Sequence, residues 1–166
     1  MMHTLAKKFM MARKLDFGEN GEAELLDDKV VLMDGSLLVE IARNTDRDTS
    51  YTIGEAVGKN LSSNIRKTGI SGSKMIEFMM DLLTMMGIGK VELHEFDVRT
   101  KKGEIRIDNS ITYRKCGDLE GCNCSVISGL LAGVVSQSYE KEFEVEETGC
   151  KLEEADRCIF KMEPAE

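Results

Sequence analysis

A chain of 166 residues with 42% hydrophobic content is long enough for one domain with a buried core, and a lone proline at Pro164 with no Gly/Ser linker or repeat marks no internal boundary. A net charge of -8 without a basic stripe argues against direct nucleic-acid binding, because that affinity comes from Lys and Arg neutralising phosphates. The apolar runs fall short of a membrane span and residues 1–14 lack a signal-peptide pattern, so the expectation is a soluble, cytoplasmic domain over residues 14–163 behind an extension over 1–13.

Residues 16–34 read as a meander of short strands, with turns at 18–21 and 27–28 and an apolar run over 30–33. Ser36 is expected to cap a helix with Leu37, Leu38 and Ile41 on one side. Thr52 and Glu55 form a capping-box pattern that should open a second helix, with Val57, Leu61 and Ile65 as its apolar stripe, ending near Gly69. The third helix, over residues 71–86, is the most apolar: Met75, Met79, Leu82, Leu83 and Met86 make one face, and Gly87 stops it. Two strands follow, over 90–99 and 103–114. Ile105, Ile107, Ile111 and Tyr113 alternate along the second, and a change of phase between Leu93 and Phe96 predicts a bulge in the first. A last helix over 122–138 carries Gly129 and Gly133 one turn apart, where a helix, a second copy of the chain or a flat ligand can approach closely. A hairpin over 142–163 completes an α+β fold: an antiparallel sheet of about four to five strands, packed on one side by three to four helices.

The hairpin carries the chemistry. Phe143, Val145 and Glu147 share one face of an alternating run whose other face is Glu142, Glu144 and Glu146. Glu147 therefore points where the apolar residues point, and a carboxylate there is protonated, ion-paired or bound to metal. Cys158, Phe160 and Met162 repeat the pattern on the next strand, Cys150 follows the turn residue Gly149, and Cys124 starts the last helix. Cys124, Glu147, Cys150 and Cys158 thus read as a structural zinc site, since zinc takes thiolate and carboxylate together in tetrahedral sites. Buried cysteine is also common as a small hydrophobe, and Cys122 could replace Cys124 as ligand. An odd count of cysteines, five, speaks against a disulfide framework.

No constellation for catalysis accompanies these residues. His3 and His94 lack a nucleophile at a useful spacing, Gly69 and Gly72 are too close together for a phosphate loop, and no dinucleotide-binding glycine motif follows a strand, so no enzyme activity is expected. Four protein ligands would also close the metal to water.

In their order, Cys124, Gly129, Gly133, Glu147, Cys150 and Cys158 resemble the signature of the 4-vinyl reductase domain family over residues 124–162, although the loop 151–157 lacks the glycine usual there. The resemblance implies a stand-alone archaeal or bacterial member, zinc held at Cys124, Glu147, Cys150 and Cys158 as in phenol-responsive regulators, and a fold similar to subunits of the transport-particle tethering complex. It also implies a small apolar ligand, hydrocarbon or aromatic, in a Met-rich interior walled by Met79, Leu83, Gly129 and Gly133, with a sensory or adaptor role through a protein partner. A homodimer is expected. The alternatives are an assembly module that dimerises through apolar helix faces and, third, a tetrapyrrole vinyl reductase, for which no hydride-donor site is visible.

Overall fold

The computed structural model describes residues 15–17, 23–25, 28–30, 34–67, 69–116, 123–150 and 157–165. The chain divides into two compact units, Met1–Asp34 and Gly35–Glu166. In the first, β1 (Leu15–Phe17), β2 (Ala23–Leu25) and β3 (Asp28–Val30) form the expected antiparallel meander, paired Leu15 to Leu25 and Ala23 to Val30. The expected boundary at residues 13–14, the turn at 18–21 and the run at 31–33 lie outside the described residues.

The second unit begins with α1 (Ser36–Asn44). Gly35, not Ser36, occupies its N-cap position, and Val39 and Ala42 are its buried residues while Leu37 is exposed. Small Ala42 is the side that fits, because its carbonyl comes close enough to accept a hydrogen bond from Asn123 Nδ2 at 3.1 Å.

Helix α2 (Arg47–Arg66) starts a turn and a half before the expected capping box. Asp46 is the cap: Oδ1 accepts from Thr49 N at 2.8 Å and Oδ2 from Thr49 Oγ1 at 2.7 Å. Glu55, inside the helix, pairs with Lys59 at 2.8 Å instead of reaching back to a cap. The buried side is Ser50, Gly54, Gly58, Ser62 and Ile65, whereas Val57 is 52% exposed. Of the expected stripe only Ile65 faces inward, because the facing helix sits too close for larger side chains.

That neighbour is α5 (Ser125–Tyr139), buried along almost its whole length. A Cβ on Gly54 would lie 2.0 Å from Val126 O, and one on Gly58 would lie 2.2 Å from Leu130 O. Reciprocally, Gly133 faces Glu55 O at 2.3 Å. The two backbones touch through these gaps, as only residues without side chains allow.

Between them in sequence come α3 (Gly72–Met85), β4 (Lys90–Asp97), β5 (Lys102–Asp108) and α4 (Ile111–Cys116). α3 buries Met75, Ile76, Met79, Met80, Leu82 and Leu83, and the chain then turns at Gly87 with φ 90°. The expected bulge is present: the pairing of β4 with β5 shifts between His94 and Asp97, with Glu95 at φ 50°. Ile111 and Tyr113, expected on the strand, lie on α4. Asn109 at φ 57° ends β5, and Arg114 N bonds back to Ser110 O at 3.0 Å to start a helical turn.

β6 (Phe143–Gly149) and β7 (Cys158–Pro164) complete a sheet of four antiparallel strands in the order β4-β5-β7-β6. Val91, Ile105, Ile107, Phe143, Val145, Cys158, Phe160 and Met162 are buried on its inner face, against which α3 and α5 pack. The outer face is charged. Five helices, all among the described residues, accompany this sheet, so the α+β class and one-sided packing stand and the helix count is one above the expectation.

Both outer strands are closed by hydroxyls from the helices. Thr84 Oγ1 accepts from Val91 N on β4 at 2.9 Å, while on β6 Ser136 Oγ accepts from Phe143 N at 3.0 Å and Tyr51 OH from Val145 N at 3.3 Å. Each bond satisfies an edge amide and ties a strand to a helix.

Candidate metal centre

Four elements deliver the four donors. Cys124 occupies the N-cap position of α5 and Glu147 lies on β6 where its pairing with β7 shifts; Cys150 directly follows that strand and Cys158 opens β7. The alternation that buries Phe143 and Val145 turns Glu147 inward, and the one that buries Phe160 and Met162 does the same for Cys158. One ligand atom from each of Cys124, Glu147, Cys150 and Cys158 lies within 4.8 Å of every other. The sequence-predicted donors are therefore together. Cys122, the alternative to Cys124, is outside the described residues.

The spacing suits a tetrahedral ion. Metal–sulfur bonds of ~2.3 Å place neighbouring sulfurs ~3.8 Å apart in a tetrahedral thiolate site, and Cys124 Sγ is 3.9 Å from Cys150 Sγ. That separation is far beyond a disulfide bond of ~2.05 Å, and all three cysteines are free. Their exposures are 1%, 5% and 0% for Cys124, Cys150 and Cys158, whereas Glu147 is only half-buried.

The electrostatics point the same way. Hydrogen bonding to Cys150 and Cys158, then burial, then the Glu147 carboxylate push the Cys124 thiol far above its ordinary value. Without a cation, the three thiols must stay protonated beside a carboxylate. A divalent ion reverses this balance by stabilising thiolates directly. The cluster could hold a metal ion, and doing so would fasten the start of α5 to both strands of the last hairpin.

A hollow of about 690 Å³ adjoins the cluster, bounded by the first turns of α2 and α5 and by β6. Arg47, Tyr51, Asn123, Ser125 and Ser128 contribute to its polar wall, together with the donors Glu147 and Cys150. Tyr51 therefore borders the hollow while holding β6 two residues before Glu147.

The four residues expected to wall an apolar ligand lie elsewhere. Met79 and Leu83 are fully buried on α3, and Gly129 and Gly133 meet the carbonyls of Tyr51 and Glu55 on α2. Tyr51, Gly54 and Gly58 were not legible as partners of the site. The available signal was that Gly54 and Gly58 repeat the four-residue spacing of Gly129 and Gly133.

A one-sided antiparallel sheet whose last hairpin gathers three thiols and a carboxylate defines an α+β domain with a candidate metal centre. Its C-terminal part, residues 104–164, matches the vinyl-4-reductase (V-4-R) domain and belongs to that family, in agreement with the resemblance read from residues 124–162. Over 112 residues, 68% of the chain, it is 28% identical to an uncharacterized protein of Methanocaldococcus jannaschii and spans 63% of that protein's length. Among solved structures it is similar to the phenol-responsive sensory domain of the transcription activator PoxR with phenol, with a TM-score of 0.74 and 21% identity, covering 99% of this chain and 92% of that one. A vinyl-4-reductase family protein from Methanocaldococcus jannaschii superposes with a TM-score of 0.54 at 21% identity, covering 79% of this chain and 76% of that one. Trafficking protein particle complex subunit 3 from Naegleria fowleri, covalently bound to palmitic acid, gives 0.59 at 14% identity, covering 80% and 90%. At these identities the superpositions establish a shared fold. No described helix is long and apolar enough to cross a membrane.

Proposed function

We propose that the protein is a zinc-stabilised small-molecule-binding domain with a sensory or adaptor role. The observation that carries this reading is the cluster itself: three buried thiols and one inward carboxylate at tetrahedral spacing in a fold shared with a phenol-responsive sensory domain. Zinc fits the donor set, and with four protein ligands it fixes the last helix against the hairpin and leaves no coordination position for catalysis. Zinc would supply cross-linking; the chain's own residues would supply the ligand site.

For that ligand the family setting favours a small apolar molecule. Met79 and Leu83, on the α3 face turned to the core, are its proposed walls, since methionine side chains repack readily. Gly129 and Gly133, proposed with them, act by setting the α2–α5 pair behind that wall. The neighbour bound to palmitic acid supports an apolar occupant for this fold. Native mass spectrometry of freshly purified protein tests the reading in one spectrum: one zinc per chain and a retained small molecule are expected. A metal-free, ligand-free chain would overturn it.

A second reading, assembly through helix faces, is favoured by the exposure of Val57 on α2 and Leu37 on α1, at 52% and 41%. A homodimer in the same spectrum supports it, and a strict monomer at micromolar concentration removes it. Vinyl reduction ranks third and would require porphyrin binding.

A further inference from the structure

The geometry points to Glu147 as the releasable arm of the metal centre and to the adjoining hollow as the binding site of a small, polar, uncharged thiol. This rests on the metal-centre reading above and goes beyond a purely structural role for it.

Three observations converge on Glu147. It is the one oxygen donor among sulfurs, and a metal already held by thiolates favours a fourth soft donor over a carboxylate. It is half-buried while the three cysteines are 5% exposed or less. It also lies where the β6–β7 register shifts, so its backbone is not locked by a regular ladder on both sides. Cys124 and Cys158 have none of these properties.

The hollow supplies the route and the selectivity. At about 690 Å³ it lies within the ~300–1,000 Å³ of ordinary small-molecule sites, and Glu147 and Cys150 form part of its wall. The rest is rich in hydrogen-bonding groups, among them Tyr51, Asn123 and Ser125. Asp48, Glu144 and Glu146 on the same wall outnumber Arg47, which disfavours an anionic tail. In the exchange the thiol sulfur takes the place of the Glu147 oxygen at the metal. The thiol proton passes to the freed carboxylate, and no electrons are transferred.

The full chain loaded with cobalt(II) gives a direct test, because its sulfur-to-cobalt absorption reports how many thiolates surround the ion. Titration with 2-mercaptoethanol is expected to raise that absorption by roughly a third, as three sulfur donors become four, with cobalt still bound by native mass spectrometry. Ethylene glycol, the oxygen counterpart in size, should leave it unchanged. In Glu147→Cys the fourth sulfur is already in place and the response should vanish. Asp48→Trp, at the exposed mouth of the hollow, should keep cobalt but blunt the response if Glu147→Cys fails to fold. An unchanged wild-type spectrum, or cobalt stripped by the thiol, overturns the proposal. A chain that takes up no cobalt before any thiol is added overturns the metal-centre reading as well.

Discussion

Gly129 and Tyr51 touch backbone to backbone: a Cβ on Gly129 would lie 1.9 Å from the Tyr51 carbonyl oxygen. Nothing at the end of a flexible side chain is available to move aside, so a methyl group there must push α2 and α5 apart. Gly129→Ala is expected to cost about 1–3 kcal/mol, read from the urea midpoint. An unchanged midpoint would mean that the helices are not in contact along this face.

Tyr51 also reaches the sheet through the bond from Val145 N to its hydroxyl. Tyr51→Phe keeps the ring and removes the acceptor, leaving a part-buried amide without it. The loss should be about 1–2 kcal/mol, with faster hydrogen exchange at the Val145 amide. Exchange that stays slow there would sever the proposed link between α2 and the strand carrying Glu147.

Metal retention should depend on each buried sulfur. Cys158→Ser is isosteric and removes one thiolate from a position with 0% exposure. We expect sub-stoichiometric metal by elemental analysis and a lower melting temperature than wild type, with the difference disappearing once both are stripped by a chelator. Full metal occupancy in the variant would exclude Cys158 as a ligand.

The pH dependence follows from the Cys124 thiol, which its thiol neighbours, burial and the Glu147 charge hold well above 9.0 in the metal-free protein. Metal uptake must therefore release protons, and apparent affinity should fall as pH is lowered. In the metal-free form the folded state holds this proton more tightly than the unfolded state does. Its contribution to stability is complete below the ordinary thiol value and is lost as pH rises above it. Melting scans of the metal-free and loaded protein should diverge above about pH 9, with only the former declining.

The metal donors were legible because alternation is a strong local signal. Glu147 follows Phe143 and Val145 in phase, and Cys158 precedes Phe160 and Met162 in phase, so each had one available direction. The buried side of α2 was not legible from hydrophobicity. Val57 and Leu61 look like a core stripe, but what decides the face is the fit of Gly54 and Gly58 to another helix, which neither sequence segment shows alone. Ile111 and Tyr113 alternate as strand residues do. Asn109 overrides them, because its left-handed backbone ends the ladder before they are reached.

Thr84, Ser136 and Tyr51 stopper the rims of the sheet at Val91, Phe143 and Val145. Another chain's backbone finds no template at those positions for growth into a fibre. On heating, a helix must lift away before polymerisation can begin there, so turbidity should trail the loss of helical signal in circular dichroism.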